Sequence, residues 1–222
     1  MKLVNAKYNL QVEMRENVTD CIIIENPTSM SNIVSELWAQ CNGGEGNFIL
    51  SQEKSLKIEK DMDIVLNPFA LDFNSRKITA ALYSNLVQSA NSYVLEKAHL
   101  NSQIIQLLDQ IMLDQIYSGI EYNMDFDWND LFKLYGVKIA REYDSLLEKL
   151  VEYVKIMASL CNVKVICFVN LKCYLNQEEI LEFIRAVNYN KIQLVLIEAH
   201  ETERLVDERI YIIDKDNCLI AR

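Results

Sequence analysis

Two apolar runs near the C-terminal end of the chain leave few folds open. Val163-Lys164-Val165-Ile166-Cys167-Phe168-Val169-Asn170 and Ile192-Gln193-Leu194-Val195-Leu196-Ile197-Glu198 are almost uninterrupted in β-branched and aliphatic residues. A strand with one solvated face alternates, whereas a strand covered on both faces does not. Between the two runs, Asn176-Gln177-Glu178-Glu179 opens a helix that carries Ile180, Phe183, Ile184 and Val187 at helical spacing. Strand, helix, strand with both strands buried predicts a right-handed parallel unit, hence an α/β fold. Val18 to Ile24, ending in Cys21-Ile22-Ile23-Ile24, adds a third buried strand. Residues 2–14 alternate loosely as a hairpin arm, and Phe48-Ile49-Leu50 reads as a strand. Asp63-Ile64-Val65-Leu66 reads as a strand stopped by Pro68. Arg209 to Ile213 and Cys218 to Ala221 close the chain as short strands.

After Ile24, Pro27-Thr28-Ser29 starts a helix with Ile33, Val34, Leu37 and Trp38 on one face. Strand, short loop, helix is the geometry of a phosphate-binding loop, but Glu25-Asn26-Pro27-Thr28-Ser29-Met30-Ser31 has no Gly and no Lys. It cannot wrap amides round a phosphate, and Glu25 would repel one. The central strands end in Asn170 and Glu198, where a phosphate-hydrolysing protein would carry its metal-binding and water-orienting groups. The expectation is a P-loop-NTPase-like α/β head lacking a nucleotide site. No catalytic constellation is legible.

From about Ser75 to Ile116 the chain has neither Pro nor Gly, and Ile78, Leu82, Leu86, Ala90, Val94, Ile104, Leu108 and Ile111 recur at helical spacing. Roughly 40 helical residues would span about 60 Å, too long for a compact domain to enclose, with Lys97-Ala98-His99 as a place for a break. A short helix over Asp130 to Leu134 and a longer one over Ala140 to Leu160 follow. Paired antiparallel, the long helices predict an α-helical arm over residues 76–161, and a discontinuous head over 1–75 and 162–222.

The arm's far end holds Glu121-Tyr122-Asn123-Met124-Asp125-Phe126-Asp127-Trp128, in which side-chain oxygens alternate with large apolar groups. Read as an extended segment over 121–128, it puts Glu121, Asn123, Asp125 and Asp127 on one face. Like charges about 7 Å apart repel, so a cation or basic residues should offset them. Oxygen-only donors suit calcium or magnesium rather than zinc. An EF-hand is excluded: read from Asn123, Trp128 stands where the loop needs Gly, and read from Asp125, position 12 is Gly136. A solvated acidic face is the plainer alternative.

The chain of 222 residues carries 32 acids against 22 bases, a formal charge of −10. That excludes a whole-molecule basic footprint, so any nucleic-acid contact must be local. The densest basic stretch is Lys54, Lys57 and Lys60, with Arg76-Lys77 downstream. It is a solvated face or a contact for a phosphate backbone. No run approaches 18 apolar residues, so no membrane span is expected. Six cysteines without a Cys-x-x-Cys pair, and no apolar signal segment at the N-terminus, point to free thiols in a reducing cytoplasm.

The order of these segments resembles the small CRISPR-associated adaptation proteins of type II-A systems. The stretches that carry the resemblance are Leu71-Asp72-Phe73-Asn74-Ser75, Asn123-Met124-Asp125-Phe126-Asp127, Val137-Lys138, Phe168-Val169-Asn170, Leu175-Asn176-Gln177-Glu178 and Leu194-Val195-Leu196-Ile197-Glu198. The resemblance implies a homotetrameric ring whose basic hole takes the ends of linear double-stranded DNA without reading sequence. It implies Ca2+ bound at Glu121, Asn123, Asp125 and Asp127, and no enzymatic activity. Lys54, Lys57, Lys60, Arg76, Lys77, Lys138 and Arg141 are then the candidate DNA-contacting bases. The implied role is spacer acquisition, with the other adaptation proteins and the effector nuclease of the locus as partners. Two other classes stay open on residues alone: a degenerate nucleotide-binding protein, and a metal-dependent nuclease using the acidic stretch.

Overall fold

The computed structural model describes residues 1–113, 115–117 and 119–221. It is a mixed α/β protein with two compact units, Met1–Phe73 with Arg141–Arg222, and Asn74–Ala140.

The first unit contains two sheets. Strands β1 (Lys2–Asn5), β2 (Leu10–Glu13), β4 (Phe48–Ser51) and β5 (Ser55–Leu56) form an antiparallel sheet in the order β2-β1-β4-β5. Strands β3 (Thr19–Ile24), β6 (Met62–Val65), β7 (Val165–Val169), β8 (Gln193–Glu198), β9 (Glu208–Ile213) and β10 (Leu219–Ala221) form the larger sheet, in the order β10-β9-β3-β8-β7-β6. Its five strands from β9 to β6 run parallel, and β10 lies antiparallel on the edge.

Every residue of β3 and β7 is buried, as their unbroken apolar runs require. On one face, Ile22, Ile24, Val165, Cys167, Val195, Ile197 and Ile213 pack with Ile33 and Leu37 of helix α1 (Pro27–Cys41). On the other, Phe168 meets Phe183 of helix α7 (Gln177–Tyr189) edge to face, with centroids 5.2 Å apart. Helix α7 starts with a reciprocal capping box between Asn176 and Glu179. A one-turn helix α2 (Ile58–Asp61) leads into β6.

The second unit holds α3 (Arg76–Ala90), α4 (Val94–Leu113) and α5 (Trp128–Leu134). Helices α3 and α5 pack through Tyr83 and Phe132, and the Tyr83 hydroxyl donates to the Val137 carbonyl at 3.1 Å. The ends of the unit are tied together: Asn74 Nδ2 donates to the Ile139 carbonyl, and the Ile139 amide donates to Asn74 Oδ1, each at 2.9 Å.

Three expectations change. The long helix from Ser75 to Ile116 is two helices, broken at Asn91-Ser92-Tyr93 rather than at Lys97-Ala98-His99. At the break Ser92 Oγ donates to the Ser89 carbonyl at 2.8 Å and the Tyr93 amide turns to the Ala90 carbonyl at 3.0 Å. The helix expected over Ala140 to Leu160 is α6 (Leu146–Ser159), because Ser145 caps it through the Glu148 amide at 3.1 Å. It belongs to the first unit instead of pairing with α3 and α4, since its Leu150, Val154 and Met157 are buried there and it packs on α7. The division therefore falls at residues 74 and 140, not at 76 and 161.

Candidate nucleic-acid interface and acidic segment

The carboxyl edge of the parallel sheet is where a nucleotide would bind in a phosphate-loop protein. Here the start of α1 has no donors to spare. Pro27 lacks an N–H, and Asn26 Oδ1 accepts the amides of Thr28 and Ser29 at 3.0 and 3.2 Å. Asn170 at the end of β7 takes a left-handed conformation, and its Oδ1 accepts the Ala199 amide at 3.1 Å. Glu198, at the end of β8, is 2% exposed and accepts the Lys172 amide at 3.2 Å. Burial pushes the Glu198 carboxyl up to about 7. The Lys172 side chain is itself buried and pairs with Glu208 at 2.6 Å. Both strand-end residues are thus occupied inside the fold.

The basic candidates divide between the units. Lys54, Lys57 and Lys60 are exposed on the first unit around β5 and α2. Lys57 and Lys60 stand one turn apart, with the Lys60 amide donating to the Lys57 carbonyl at 3.0 Å. Arg141 is engaged, pairing with Glu148 at 2.9 Å and Glu152 at 3.4 Å. Arg76 and Lys77 sit in the first turn of α3, and Lys138 is exposed after α5.

The acidic stretch is not a strand. Residues 121–123 have no regular structure, Met124 and Asp125 make a bend, and Asp127 is the N-cap residue of α5. Among the described residues no partner strand offers a ladder, so the alternation of Glu121, Asn123, Asp125 and Asp127 does not produce one flat acidic face. Asp125 Oδ2 instead accepts the Lys97 ammonium at 3.0 Å, and this bond holds the Asp125 carboxyl below its usual range. Lys97 also lies 5.1 Å above the Phe126 ring, while Asn101 Nδ2 donates to the Met124 carbonyl at 2.7 Å. Among the described residues no three His, Cys, Asp or Glu side chains gather at one point. The sequence offered Lys97 only as part of a place for a helix break and gave it no part in binding, although it is the one basic residue among positions 94–113 other than His99.

Among the described residues no helix is long and apolar enough to cross a membrane. The fold and this edge define a mixed α/β protein whose parallel sheet carries no phosphate-binding loop. The chain belongs to the family described as CRISPR-associated protein (Cas_Csn2), whose model matches residues 40–217. It is 24% identical over 201 residues to the CRISPR-associated protein Csn2 of Enterococcus faecalis, covering 88% of each chain. To the CRISPR-associated protein Csn2 of Streptococcus agalactiae it is 26% identical over 205 residues, covering 90% of this chain and 89% of the relative.

Proposed function

We propose that four copies of this chain close into a ring that binds the ends of linear double-stranded DNA, without reading sequence and without catalysis, in support of spacer acquisition by a CRISPR system. The other adaptation proteins and the effector nuclease of the locus are its partners, in the cytoplasm. The observation that carries the reading is the family match, which extends over residues 40–217. In this reading the first unit is a P-loop-type head that has lost its nucleotide site, and the second belongs to a helical arm.

Three features support it. The amides that would cradle a phosphate are already bonded to Asn26, which favours a head without nucleotide. Lys54, Lys57 and Lys60 are exposed in a chain of net charge −10, so convergence of copies is what would concentrate positive charge. Helix α4 buries none of its residues, and Leu95, Leu107 and Leu113 are 82%, 57% and 82% exposed. An apolar helix of that kind calls for a covering surface, and a second copy supplies one.

Calcium suits the donor chemistry of Glu121, Asn123, Asp125 and Asp127, which is all hard oxygen; to hold one ion these residues would have to draw together from the arrangement described, in which no three acidic side chains gather among the described residues. When bound, the ion would neutralise the repulsion among the carboxylates. In the arrangement described, the Lys97 ammonium stands on Asp125.

Mobility shift tests the reading on end binding. A linear duplex is expected to shift with calcium present, and the same sequence closed into a circle is expected not to. An equal shift of the circle would mean binding along the duplex rather than at its ends.

A further inference from the structure

The two edges of the parallel sheet differ in charge. At the carboxyl edge Glu25, Glu198 and Asp214 stand at or just past the ends of β3, β8 and β9. The Lys172 ammonium there is taken up by Glu208, and Lys215 lies between Asp214 and Asp216. The amino edge of β6, β7 and β8 is basic. The segments that lead into those strands are 57–61, 162–164 and 189–192. They carry Lys57, Lys60, Lys164 and Lys191 against two carboxylates, Glu59 and Asp61, in a chain of net charge −10.

The sheet brings these segments side by side. The Lys164 amide donates to the Asp61 carbonyl, and the Gln193 amide to the Lys164 carbonyl, each at 2.8 Å. Adjacent strands lie about 4.8 Å apart, so three strand starts span about 10 Å. That is the length of about three phosphates on one DNA strand, at about 3.4 Å each. Asp61 is engaged from two sides: its Oδ2 accepts the Lys57 amide at 3.0 Å, and its Oδ1 meets the Lys164 ammonium at 2.7 Å. The Lys164 side chain is still 44% exposed. The Glu59 side chain lies beside Gly43. Among the described residues no ion pair takes up the side chains of Lys57, Lys60 or Lys191.

Two features of this edge serve no purpose in the core. Lys191 takes φ 56°, the left-handed conformation that glycine or asparagine usually supplies just past a helix end. A lysine there brings a charge at a conformational cost. Tyr189, the last residue of α7, is 87% exposed two residues before Lys191. Tyrosine hydroxyls are among the groups that bond DNA phosphates.

We propose that the amino edge of β6, β7 and β8 is a surface for the DNA backbone, on which Lys164 and Lys191 join Lys57 and Lys60 as phosphate contacts. A phosphate-loop protein binds its nucleotide at the carboxyl edge, so the DNA takes the other edge of the sheet. This rests on the reading that the chain binds duplex DNA.

The test is binding of labelled duplex by the full chain, followed by fluorescence anisotropy across a salt series. The proteins are wild type, Lys164→Gln with Lys191→Gln, and Lys164→Arg with Lys191→Arg. The control, Lys7→Gln with Lys215→Gln, removes two exposed charges elsewhere on the first unit. The glutamine pair is expected to bind about tenfold or more weaker near 0.1 M salt, with the slope of log affinity against log salt lower by about 1.8. The arginine pair and the control are expected to keep the wild-type slope. An unchanged slope in the glutamine pair, with wild type binding, would leave the two lysines as counter-charges to the C-terminal ends of α6 and α7. That result would overturn the surface while the DNA reading stands. An equal fall for the control or the arginine pair would overturn it too, as an effect of net charge or of packing rather than of phosphate contact. A wild type that binds no duplex would overturn the DNA reading and this surface together.

Discussion

Changing Lys54, Lys57 and Lys60 together to glutamate is expected to weaken binding of linear duplex DNA by about a hundredfold or more near 0.1 M salt. Each lost phosphate contact lowers the slope of log affinity against log salt by about 0.9. Three contacts therefore carry a large share of a sequence-blind affinity. The loss is expected to be the same for duplexes of different sequence, because phosphate contacts position a protein without reading bases. The three side chains are exposed, and none is part of the buried core, so the melting temperature is expected to stay within a degree or two of wild type. Salt-dependent fluorescence anisotropy on labelled duplexes gives both affinity and slope. An unchanged slope would make these lysines an ordinary solvated face.

Lys172→Met is expected to destabilise the first unit by about 3–5 kcal/mol near neutral pH, the cost of leaving a buried charge without its partner. Lys172 pairs with Glu208, whose side chain is fully buried, and its amide serves Glu198. The effect has a definite pH dependence. Glu198 is pushed up from 4.5 to about 7 by burial, so between those values the folded protein holds a proton that the unfolded chain has lost. Its contribution to stability is complete below about pH 4.5 and is lost as pH rises through about 7. Removing the Lys172 charge makes the ionised Glu198 carboxylate costlier still. The deficit of Lys172→Met relative to wild type is thus expected to be largest above pH 7 and to shrink towards pH 5. Urea unfolding across that range measures it. Lys172→Met combined with Glu208→Leu is expected to recover most of the loss; a deficit independent of pH would contradict the role given to Lys172 beside Glu198.

The buried strands were legible because covering both faces removes alternation. Ile22 to Ile24, Val165 to Val169 and Leu194 to Ile197 could be read directly. The start of α7 was legible because Asn176 and Glu179 form the cap that their spacing suggests. Other boundaries were not, because short-range polar contacts decide them. Ser92 takes the Ser89 carbonyl at a break past which the apolar stripe continues, and Ser145 caps a helix whose pattern begins earlier. The alternation from Glu121 to Asp127 suggested a strand, but period two makes a strand only where a neighbour supplies the ladder. Here Asp127 stands at the N-cap position of a helix without a side-chain cap bond, and Asp125 turns to a lysine 28 residues back. That partner has no local signature, since nothing in the spacing of a helix tells which distant loop its lysine will meet. Lys172 and Glu208 stayed hidden for the same reason: the pairing depends on how the parallel sheet brings distant segments together.

Sedimentation velocity with calcium present, on mixtures with linear duplex and with the same duplex closed into a circle, tests the central claim most directly. The account predicts a species of four chains that co-sediments with the linear DNA and leaves the circle at its free sedimentation rate. A single chain that sediments alone in both mixtures, or one that travels equally with both DNAs, would contradict it.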